Sequence, residues 1–572
     1  MYKKIPKLIL LILKELKFRI SFKKYKISFF TRKLHLSNLY KQKNDNITIN
    51  KSSPEFNVLF FTGYGLGYHI ETIEPILMSS LLNRGVHITS MYCNNSLPCC
   101  EFNIIGNETK GLSKLHLRGL SDFANYNTCN FCINSIKLMY DHMPIDVIGI
   151  NNYLSICDYE LANDLVNSID IDNFRNFVYK NINVGEQAFA SYLRATFNGH
   201  VELISYNIVL IKKFLRSAIL LAISTEIAFK KIKPDRVVLI HGLYNIHGIP
   251  TEIARKLNIP VIILGGGGIR KDTIIACHGE TYHKQLVNES NTIWENITLN
   301  SYKIEKVLNY VNKKKYSGSG VDYLNYHPNP IESNDFIYRF LKINDNRKII
   351  TIFTNVVWDA QILYQGNIFK DIYDWLEFTI LEIKKNKNII GIIRVHPAEK
   401  KGNSPTNQPI MDEIFKRIKI LPDNIRVVEA ENNISSYSLA KISHASIIYG
   451  TKMGLEIALM KIPLIICGET FSRKKGYGID INDKIQYTNL LKNIETYSFN
   501  IDKFYERSLK YAYYYYFCRM IDMPFTTTTN NLQNITINYD KPSDLKNNKN
   551  INLICDGIIN LSNFYYDPNE DI

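Results

Sequence analysis

The stretch that decides the fold reads GIIRVHPAEKKG at residues 391–402 and IRVVEAENNISSYSLAKISHASIIYGTKMGLEIALMKIPLIICGETFSRKKGYGID at residues 425–480. Short β-branched runs alternate with amphipathic runs of helical period, which is typical of βαβ units in a parallel sheet. Ligands of open α/β sheets bind outside the carboxyl ends of the strands. The stretch therefore predicts a site for an anionic ligand that bears a nucleotide. The polar residues that follow its predicted strands are Arg394 and His396 after IIGII, Thr451 and Lys452 after ASII, and Glu469 after PLIIC.

Composition bounds the class of protein. The chain has 572 residues, of which 45% are apolar and 22% charged, as in globular proteins long enough for two large domains. The net charge of +15 is uneven, since residues 1–33 hold eleven Lys and Arg against one Glu. The remainder is only mildly basic, so no nucleic-acid partner is predicted. The ten cysteines form no secreted disulfide framework, and no cleavable signal is evident, so a reducing cytoplasm is expected.

The N-terminal segment predicts a helix on a membrane surface. In MYKKIPKLILLILKELKFRI, residues 1–20, apolar residues share one helical face and lysines lie opposite. The uninterrupted apolar run, Leu8 to Leu13, is far shorter than the about 20 residues that span a bilayer. We therefore expect residues 1–54 to hold a basic amphipathic helix on an anionic leaflet, followed by a linker. The alternative is a helix packed on the protein's own body.

A Rossmann-like domain is predicted over residues 55–300. NVLFFTGYGLGYHIETIEPILMSSLLNRGVHITSMYC reads as strand, glycine turn, helix and strand. Its glycines give GxGxG and not the full dinucleotide fingerprint, so Gly65 and Gly67 indicate backbone that passes close to a partner in the cleft. His69, at the helix entrance, is a candidate base facing that cleft. A capping or core histidine is the alternative.

Five cysteines cluster in this domain, in the contexts YCNNSLPCCEF and TCNFC. Four thiols can close a tetrahedral structural zinc site, and an iron–sulfur cluster is the other metal option. A redox pair and buried free thiols are the alternatives without metal. The predicted ligands are Cys93, Cys99, Cys129 and Cys132.

The sheet of the first domain resumes after a helical stretch. Residues 134–232 read mostly helical and predict an insertion. The following PDRVVLIHGLYNIHGIPTEIARKLNIPVIILGGGGIRKDT gives two more strands, the second ending in four consecutive glycines. Such a run fits close approach to a ligand or to the other domain, so Gly266 and Gly267 are expected in the cleft. Residues 301–345 are expected to connect the domains.

The second domain is predicted over residues 346–500. Asp359 lies in the loop after its first strand. Thr451 and Lys452 begin a helix whose free N–H groups and dipole favour a phosphate. Glu456 is predicted to accept hydrogen bonds from ribose hydroxyls, the alternative being a solvated helix charge. A closing helix over 501–526 and a loosely packed tail over 527–572 are expected to complete the chain.

Several motifs occur in the order seen in a known family. TNVVWDAQ, DWLEFTI, RVHPAEKKG, LPDNIRVV, SSYSL, YGTKMGLE and GETFSRKKGYGID resemble bacterial capsule polysaccharide biosynthesis proteins. These are similar to GT-B glycosyltransferases that include Kdo and sialic-acid transferases. The resemblance is best over 350–480 and thinner in the first domain. It implies an α/β fold with two Rossmann-like domains facing a cleft, the nucleotide-sugar donor on the second domain and the acceptor on the first.

The resemblance also implies site residues. The HP motif of GT-B sialyl- and Kdo-transferases contacts the CMP phosphate, which assigns that role to His396 with Arg394 beside it. Their serine/threonine motif corresponds to Ser435, Ser436 and Thr451. GT-B enzymes need no divalent metal for chemistry, because basic groups and a helix N-terminus offset the charge of the leaving phosphate.

The sequence therefore predicts a glycosyltransferase, peripheral on the inner face of the plasma membrane. It would move a sugar from a nucleotide donor, CMP-linked for preference, to a glycan or lipid-linked acceptor, alongside other capsule-assembly proteins. The family's acidic base motif has no clear counterpart, so His69, Asp359 and Glu469 stay open as the catalytic base. A polyol-phosphate transferase, a nucleotide-sugar epimerase and a non-catalytic assembly scaffold are the alternatives.

Overall fold

The structure is a computed structural model that describes Asn38 and residues 56–104, 128–266, 270–315, 329–359, 366–401, 405–528, 535–540 and 542–570. The predicted basic helix near the N-terminus and Gly267 lie outside these residues. Within the described part of the chain, no helix combines the length and the apolar character needed to cross a bilayer.

A first sheet of seven strands is built mainly from the N-terminal half. Its order is β13-β6-β5-β4-β1-β2-β3, with β5–β4–β1–β2–β3 parallel and β6 and β13 antiparallel to their neighbours. Its interior strand NVLFFTG, Asn57–Gly63, is buried almost throughout, as expected for a parallel strand covered on both faces. The strands are β1 Asn57–Gly63, β2 His87–Tyr92, β3 Asp146–Gly149, β4 Arg236–Ile240, β5 Val261–Gly266, β6 Thr273–His278 and β13 Ile521–Asp522.

A second sheet of six parallel strands forms the other domain. Its order is β12-β11-β10-β7-β8-β9, and the β-branched runs that the sequence singles out form these strands. The prediction of two Rossmann-like domains is thereby confirmed. The strands are β7 Lys348–Phe353, β8 Ile389–Arg394, β9 Ile425–Val428, β10 Ala445–Ile448, β11 Leu464–Ile466 and β12 Ile479–Asp480, and a separate hairpin pairs β14 Thr526–Thr528 with β15 Ile535–Ile537.

Helices cover both sheets, and the predicted insertion in the first domain is present as α3 to α5. In chain order they are α1 Ile73–Leu82, α2 Thr128–Tyr140, α3 Ile156–Ser168, α4 Val184–Thr196, α5 Ser205–Ile232, α6 Ile249–Lys256, α7 Tyr282–Asn288, α8 Thr292–Glu295, α9 Ser301–Lys315, α10 Asn334–Leu341, α11 Ile372–Lys385, α12 Ala398–Lys401, α13 Ile410–Arg417, α14 Ser436–Lys441, α15 Met453–Leu459, α16 Lys484–Lys492, α17 Ile501–Tyr513, α18 Pro542–Lys546 and α19 Lys549–Asn560.

The end of the chain returns to the first domain. Strand β13 pairs with β6, and the apolar face of α19 packs in the same core as α1 and β1. Ile551, Ile554, Cys555 and Ile558 are fully buried there. The expectation of a loosely packed tail was therefore wrong, because these residues recur at the i, i+3, i+4, i+7 spacing of an amphipathic helix within an Asn-rich segment.

Each sheet has one place where the chain connections leave in opposite directions. In the first sheet it lies between β1 and β4, and in the second between β7 and β10. We call the loops there the first crevice (residues 64–70 and 241–248) and the second crevice (residues 354–359 and 449–452). Open α/β sheets bind ligands at such switch points. The strand order therefore locates the candidate site before any side chain is considered.

Candidate active site

His69 lies in the first crevice against a buried carboxylate. It sits on a short turn, Tyr68–Ile70, directly after β1, and only 5% of it is exposed. Its Nε2 lies 3.5 Å from an oxygen of Glu74 and 3.4 Å from the carbonyl oxygen of Thr62. In general-base catalysis a neighbouring carboxylate orients the imidazole and stabilises its protonated form, and Glu74 is placed to do this for His69.

Glu74 is held by two more hydrogen bonds. The hydroxyls of Thr62 and Tyr140 donate to one of its oxygens, at 2.7 and 2.5 Å. Burial raises the pKa of Glu74 to about 7, although these hydrogen bonds act in the opposite direction. The carboxyl beside His69 therefore changes charge near neutral pH. Sequence reasoning missed Glu74, although an acidic residue in the apolar helix IEPILMSSLL was a usable signal.

The other half of the first crevice is a strained turn after β4. His241, Gly242 and Tyr244 have φ values of 63°, 66° and 67°, so three of four consecutive residues adopt the left-handed region. Left-handed non-glycine residues raise the backbone energy and cluster at functional sites. A π-helical turn, Tyr244–Gly248, follows and brings the His247 ring to 6.2 Å from that of His69.

The histidines that surround His69 are poor proton acceptors. Burial, with Arg194 and His69 nearby, lowers the pKa of His241 to about 4. Burial and His69 also lower the pKa of His247 well below its usual value. Both rings are therefore neutral at pH 7 and add no charge to the crevice.

The second crevice is built from backbone groups and small polar side chains. The Asn355 side chain accepts a hydrogen bond from the Gly450 N–H at 3.1 Å, which ties the loops after β7 and β10 together. Thr451 is half-buried and Lys452 is exposed at the start of α15. The backbone N–H of His396 donates to the Thr354 hydroxyl at 3.0 Å, so His396 stands beside this crevice.

The two crevices meet across the cleft between the domains. A guanidinium nitrogen of Arg194, on α4, lies 3.4 Å from an Asp359 oxygen, and the Tyr244 hydroxyl donates to the same oxygen at 3.4 Å. Partial desolvation opposes ionisation of Asp359, but Arg194, His283 and Lys452 outweigh it and lower the carboxyl pKa. Asp359 is therefore a weak proton acceptor that contributes negative charge to the cleft.

Arg394 is buried away from the cleft surface. Only 2% of it is exposed, and its guanidinium donates to the carbonyl oxygens of Glu429 and Asn432 and to the Ser436 hydroxyl at 2.8, 3.2 and 3.2 Å. The hydroxyl of Ser435 accepts the Ser438 N–H at 3.3 Å and caps α14. These contacts hold the loop before α14 in place, and a direct phosphate contact by Arg394, Ser435 or Ser436 stays a prediction.

Glu456 is buried and paired within the protein. It lies 2.7 Å from the Lys314 ammonium, on α9, and accepts the Tyr437 hydroxyl at 2.5 Å. It is 3% exposed, so the alternative of a solvated helix charge is wrong. Its ribose-binding role stays a prediction.

Glu469, the third candidate base, is held by a loop of the second domain. One of its oxygens accepts the Gly366 N–H at 3.0 Å, and its own N–H donates to Asn367 at 2.7 Å. Glu469 thereby ties the loop that ends at residue 370 to the strand end after β11.

Two of the predicted cleft glycines, Gly65 and Gly67, are sites of close approach. A side chain at Gly65 would overlap the carbonyl of Cys132, and one at Gly67 would overlap the His69 ring. Gly266 pairs with Ile274 in the sheet.

The four predicted cysteine ligands are not brought together. Among the described residues, the group of ligand atoms that all lie within 4.8 Å of one another is His200, Glu202 and Glu413. Cys132 instead accepts the Gly65 N–H at 2.9 Å, and Cys99 lies 3.8 Å from the Ser217 hydroxyl on α5. A zinc or iron–sulfur site at Cys93, Cys99, Cys129 and Cys132 stays a prediction.

A cavity of about 570 Å³ opens beside the second crevice. Asn355, Val357 and Tyr449 line it from the second domain, and Arg175 and His200 from the first. Lys370 and Arg417 add positive charge to its wall. Asp172 and Asp371 add negative charge to the same wall, and both domains shape this cavity.

Comparison with known proteins finds similarity in structure but not in sequence. No protein-family model matches the chain, and no curated protein sequence matches it. Similar solved structures include the KpsC β-Kdo 2,4 transferase of Thermosulfurimonas dismutans, with 12% identity, a TM-score of 0.33 and coverage of 54% of this chain and 87% of that one. The calicheamicin glycosyltransferase CalG4 has 11% identity, a TM-score of 0.25 and coverage of 80% and 94%.

A UDP-GlcNAc 2-epimerase from Neisseria meningitidis is similar to a comparable degree, with 11% identity, a TM-score of 0.24 and coverage of 80% of this chain and 96% of that one. At this level of similarity the resemblance concerns the fold alone. The chemistry of the site therefore has to be inferred from its own residues.

Proposed function

We propose that this chain is a GT-B-type glycosyltransferase that moves a sugar from a nucleotide donor to an acceptor hydroxyl in surface polysaccharide biosynthesis. The observation that carries the proposal is the pairing of His69 with buried Glu74 in one crevice, opposite a second crevice of phosphate-binding character. An acceptor hydroxyl needs a base, and a nucleotide leaving group needs positive charge.

His69 is the proposed base. The imidazole of His69, with Glu74 and the Thr62 carbonyl beside its Nε2, takes up the proton of the acceptor hydroxyl. The Glu74 carboxylate then stabilises the imidazolium that forms, as an orienting carboxylate does in hydrolytic triads. Asp359 is a less suitable base, because its neighbours lower its pKa. Glu469 is less suitable because it is held against a backbone N–H.

The donor is proposed to bind in the second crevice. Thr451 and the ammonium of Lys452 stand where its phosphate would lie, with His396 on the neighbouring loop. Arg194 contributes from the first domain, because its permanently positive guanidinium lies in the cleft, 3.4 Å from Asp359. These groups would offset the charge that develops on the leaving phosphate. A CMP-linked sugar is the preferred donor.

The acceptor and the location follow from the sequence and complete the proposal. A glycan or lipid-linked acceptor would enter the first crevice, beside His69. The basic segment at residues 1–33 would hold the protein on the inner face of the plasma membrane, next to other capsule-assembly proteins. Removing residues 1–33 should then release the protein from sedimented vesicles that contain anionic lipid, and unchanged sedimentation would contradict the membrane part alone.

The test is a transfer assay with the purified full chain, a panel of CMP-, UDP-, GDP- and CDP-activated donors, and cell-envelope glycan as acceptor. Mass spectrometry would follow both the nucleotide released and the product. A glycosylated acceptor from one donor class supports the proposal. An epimerised nucleotide sugar without transfer, a transferred polyol phosphate, or a folded protein that binds no nucleotide would overturn it in favour of the corresponding alternative.

A further inference from the structure

The two domains are clasped by a segment that follows α4. Phe197 enters the core of the second domain, with its ring 5.0 Å from that of Trp358. The Asn407 N–H donates to the Phe197 carbonyl at 2.9 Å, and the Gly199 and His200 N–H groups both donate to the Gln408 side-chain oxygen at 2.9 and 3.0 Å. The segment therefore lies in a fixed position on the second domain.

Three ligand-type side chains converge beside this clasp. His200 and Glu202 come from the segment, and Glu413 from α13 of the second domain. The imidazole Nε2 lies 3.6 Å from a Glu202 oxygen and 3.9 Å from a Glu413 oxygen. Both separations are too long for a hydrogen bond. Two ligand atoms bound to a tetrahedral zinc ion at about 2.0 Å lie about 3.3 Å apart, which is close to both of these separations.

The neighbouring amide indicates which imidazole nitrogen is the acceptor. Because the Gln408 oxygen already accepts two backbone N–H groups, the amide nitrogen is the atom that faces His200 Nε2, at 3.2 Å. A donor in that position leaves Nε2 as an acceptor in the neutral ring. A cation that displaced this amide from Nε2 could be bound by the imidazole nitrogen and the two carboxylate oxygens together.

The surroundings suit an ion that enters from solvent. The side chains of His200 and Glu202 are 30% and 49% exposed, whereas that of Glu413 is 8% exposed. The edge of the Tyr373 ring orients the imidazole, with ring centres 5.6 Å apart. Lys416 contacts the other oxygen of Glu413, at 2.6 Å, and leaves Oε2 facing the imidazole. Oriented ligands of this kind raise metal affinity.

We propose that His200, Glu202 and Glu413 form a divalent metal site, zinc by its ligands, that clasps the first domain to the second. Imidazole and carboxylate are ordinary zinc ligands, and three protein ligands leave a fourth position for water. Two ligands stand on one domain and the third on the other, so a bound ion resists separation of the domains. His200 also lines the cavity beside the second crevice, whereas Glu202 and Glu413 do not.

The test is calorimetric titration of metal-stripped full-length protein with Zn²⁺, alongside Co²⁺ absorption spectra. We expect one ion per chain, weakened at least about a hundredfold by His200→Ala or Glu413→Gln, since even outer groups change metal affinity by 10- to 100-fold. His87→Ala is the matched control, because His87 pairs with the single carboxylate of Asp146 at 3.1 Å and belongs to no group of three ligands among the described residues, and it should leave binding unchanged.

Three results would overturn the proposal. A sulfur-to-cobalt charge-transfer band would place the ion on cysteines. Equal zinc affinity in wild type and His200→Ala would place it elsewhere, and no binding by folded wild type would mean that His200 pairs with the carboxylates as an imidazolium. If the two principal variants misfold, Glu202→Gln, at a more exposed ligand, should still lower zinc affinity.

Discussion

The two crevices occupy equivalent positions in their sheets but differ in what fills them. The first crevice holds titratable rings, a carboxyl whose pKa is raised to about 7 and a strained turn. The second holds an amide, small hydroxyls and backbone N–H groups together with Asp359 and Lys452, while Arg394 and Glu456 nearby are committed to partners inside the domain. One switch point is thus equipped to move a proton, and the other to recognise a ligand.

The sharpest way to separate the two crevices is His69→Ala. We expect kcat to fall by about 10² to 10⁴, the usual contribution of a general base, while nucleotide affinity stays within about twofold. Steady-state kinetics and calorimetry on the same preparation would measure both quantities. His87→Ala, which changes a histidine at the amino end of the neighbouring strand β2, should leave both unchanged. Loss of nucleotide binding in His69→Ala would remove the distinction between the crevices.

Arg394→Ala tests whether the second crevice depends on buried support. We expect the free energy of unfolding to fall by about 2–4 kcal/mol, because two carbonyls and a hydroxyl lose a charged donor in a buried site. Chemical denaturation would measure it, with Lys452→Ala as the exposed control. Loss of nucleotide affinity without any loss of stability would instead favour the direct phosphate contact that the sequence predicts for Arg394.

Glu74→Gln sharpens the account of the first crevice through pH. In the wild type, kcat/KM should rise as pH passes about 7, because the ionised carboxylate stabilises the imidazolium of His69. In the variant this step should be absent, and the rate at pH 8 about tenfold lower. A pH–rate profile checks both, and an unchanged step would assign it to another group.

The same substitution has a consequence for stability. A carboxyl whose folded pKa is raised binds more protons in the folded state than in the unfolded one between about 4.5 and 7. Its contribution to stability is therefore present at low pH and is lost as pH rises through 7. Denaturation at pH 5.5 and pH 8 should show a smaller difference in Glu74→Gln than in the wild type.

The smallest expected effect belongs to Lys452→Ala. Its ammonium is exposed, so its attraction for a phosphate is screened. We expect nucleotide affinity to fall about threefold to tenfold at low ionic strength and by less in 0.5 M salt. Calorimetry at two salt concentrations would measure it. Equal affinity of variant and wild type at low salt would exclude Lys452 from the donor site.

Local pattern predicted the strands and the side chains at their ends, but not which ends meet. Strand β4 pairs with β1 although helices α1 to α5 separate them in the chain, and this pairing puts His247 beside His69. The partners of Arg394, Glu456 and the four predicted cysteine ligands are likewise set by tertiary packing. His69 could be predicted from the sequence because it follows a glycine turn, whereas Glu74 was missed because it lies inside an apolar helix.

The measurement that tests the central claim most directly is calorimetric titration of the full chain with CMP, CDP, UDP and GDP, repeated with Thr451→Ala and His69→Ala. The two-crevice account predicts that one nucleotide binds, that Thr451→Ala weakens it, and that His69→Ala does not. A folded protein that binds none of the four, or one whose affinity depends on His69 and not on Thr451, would contradict the account.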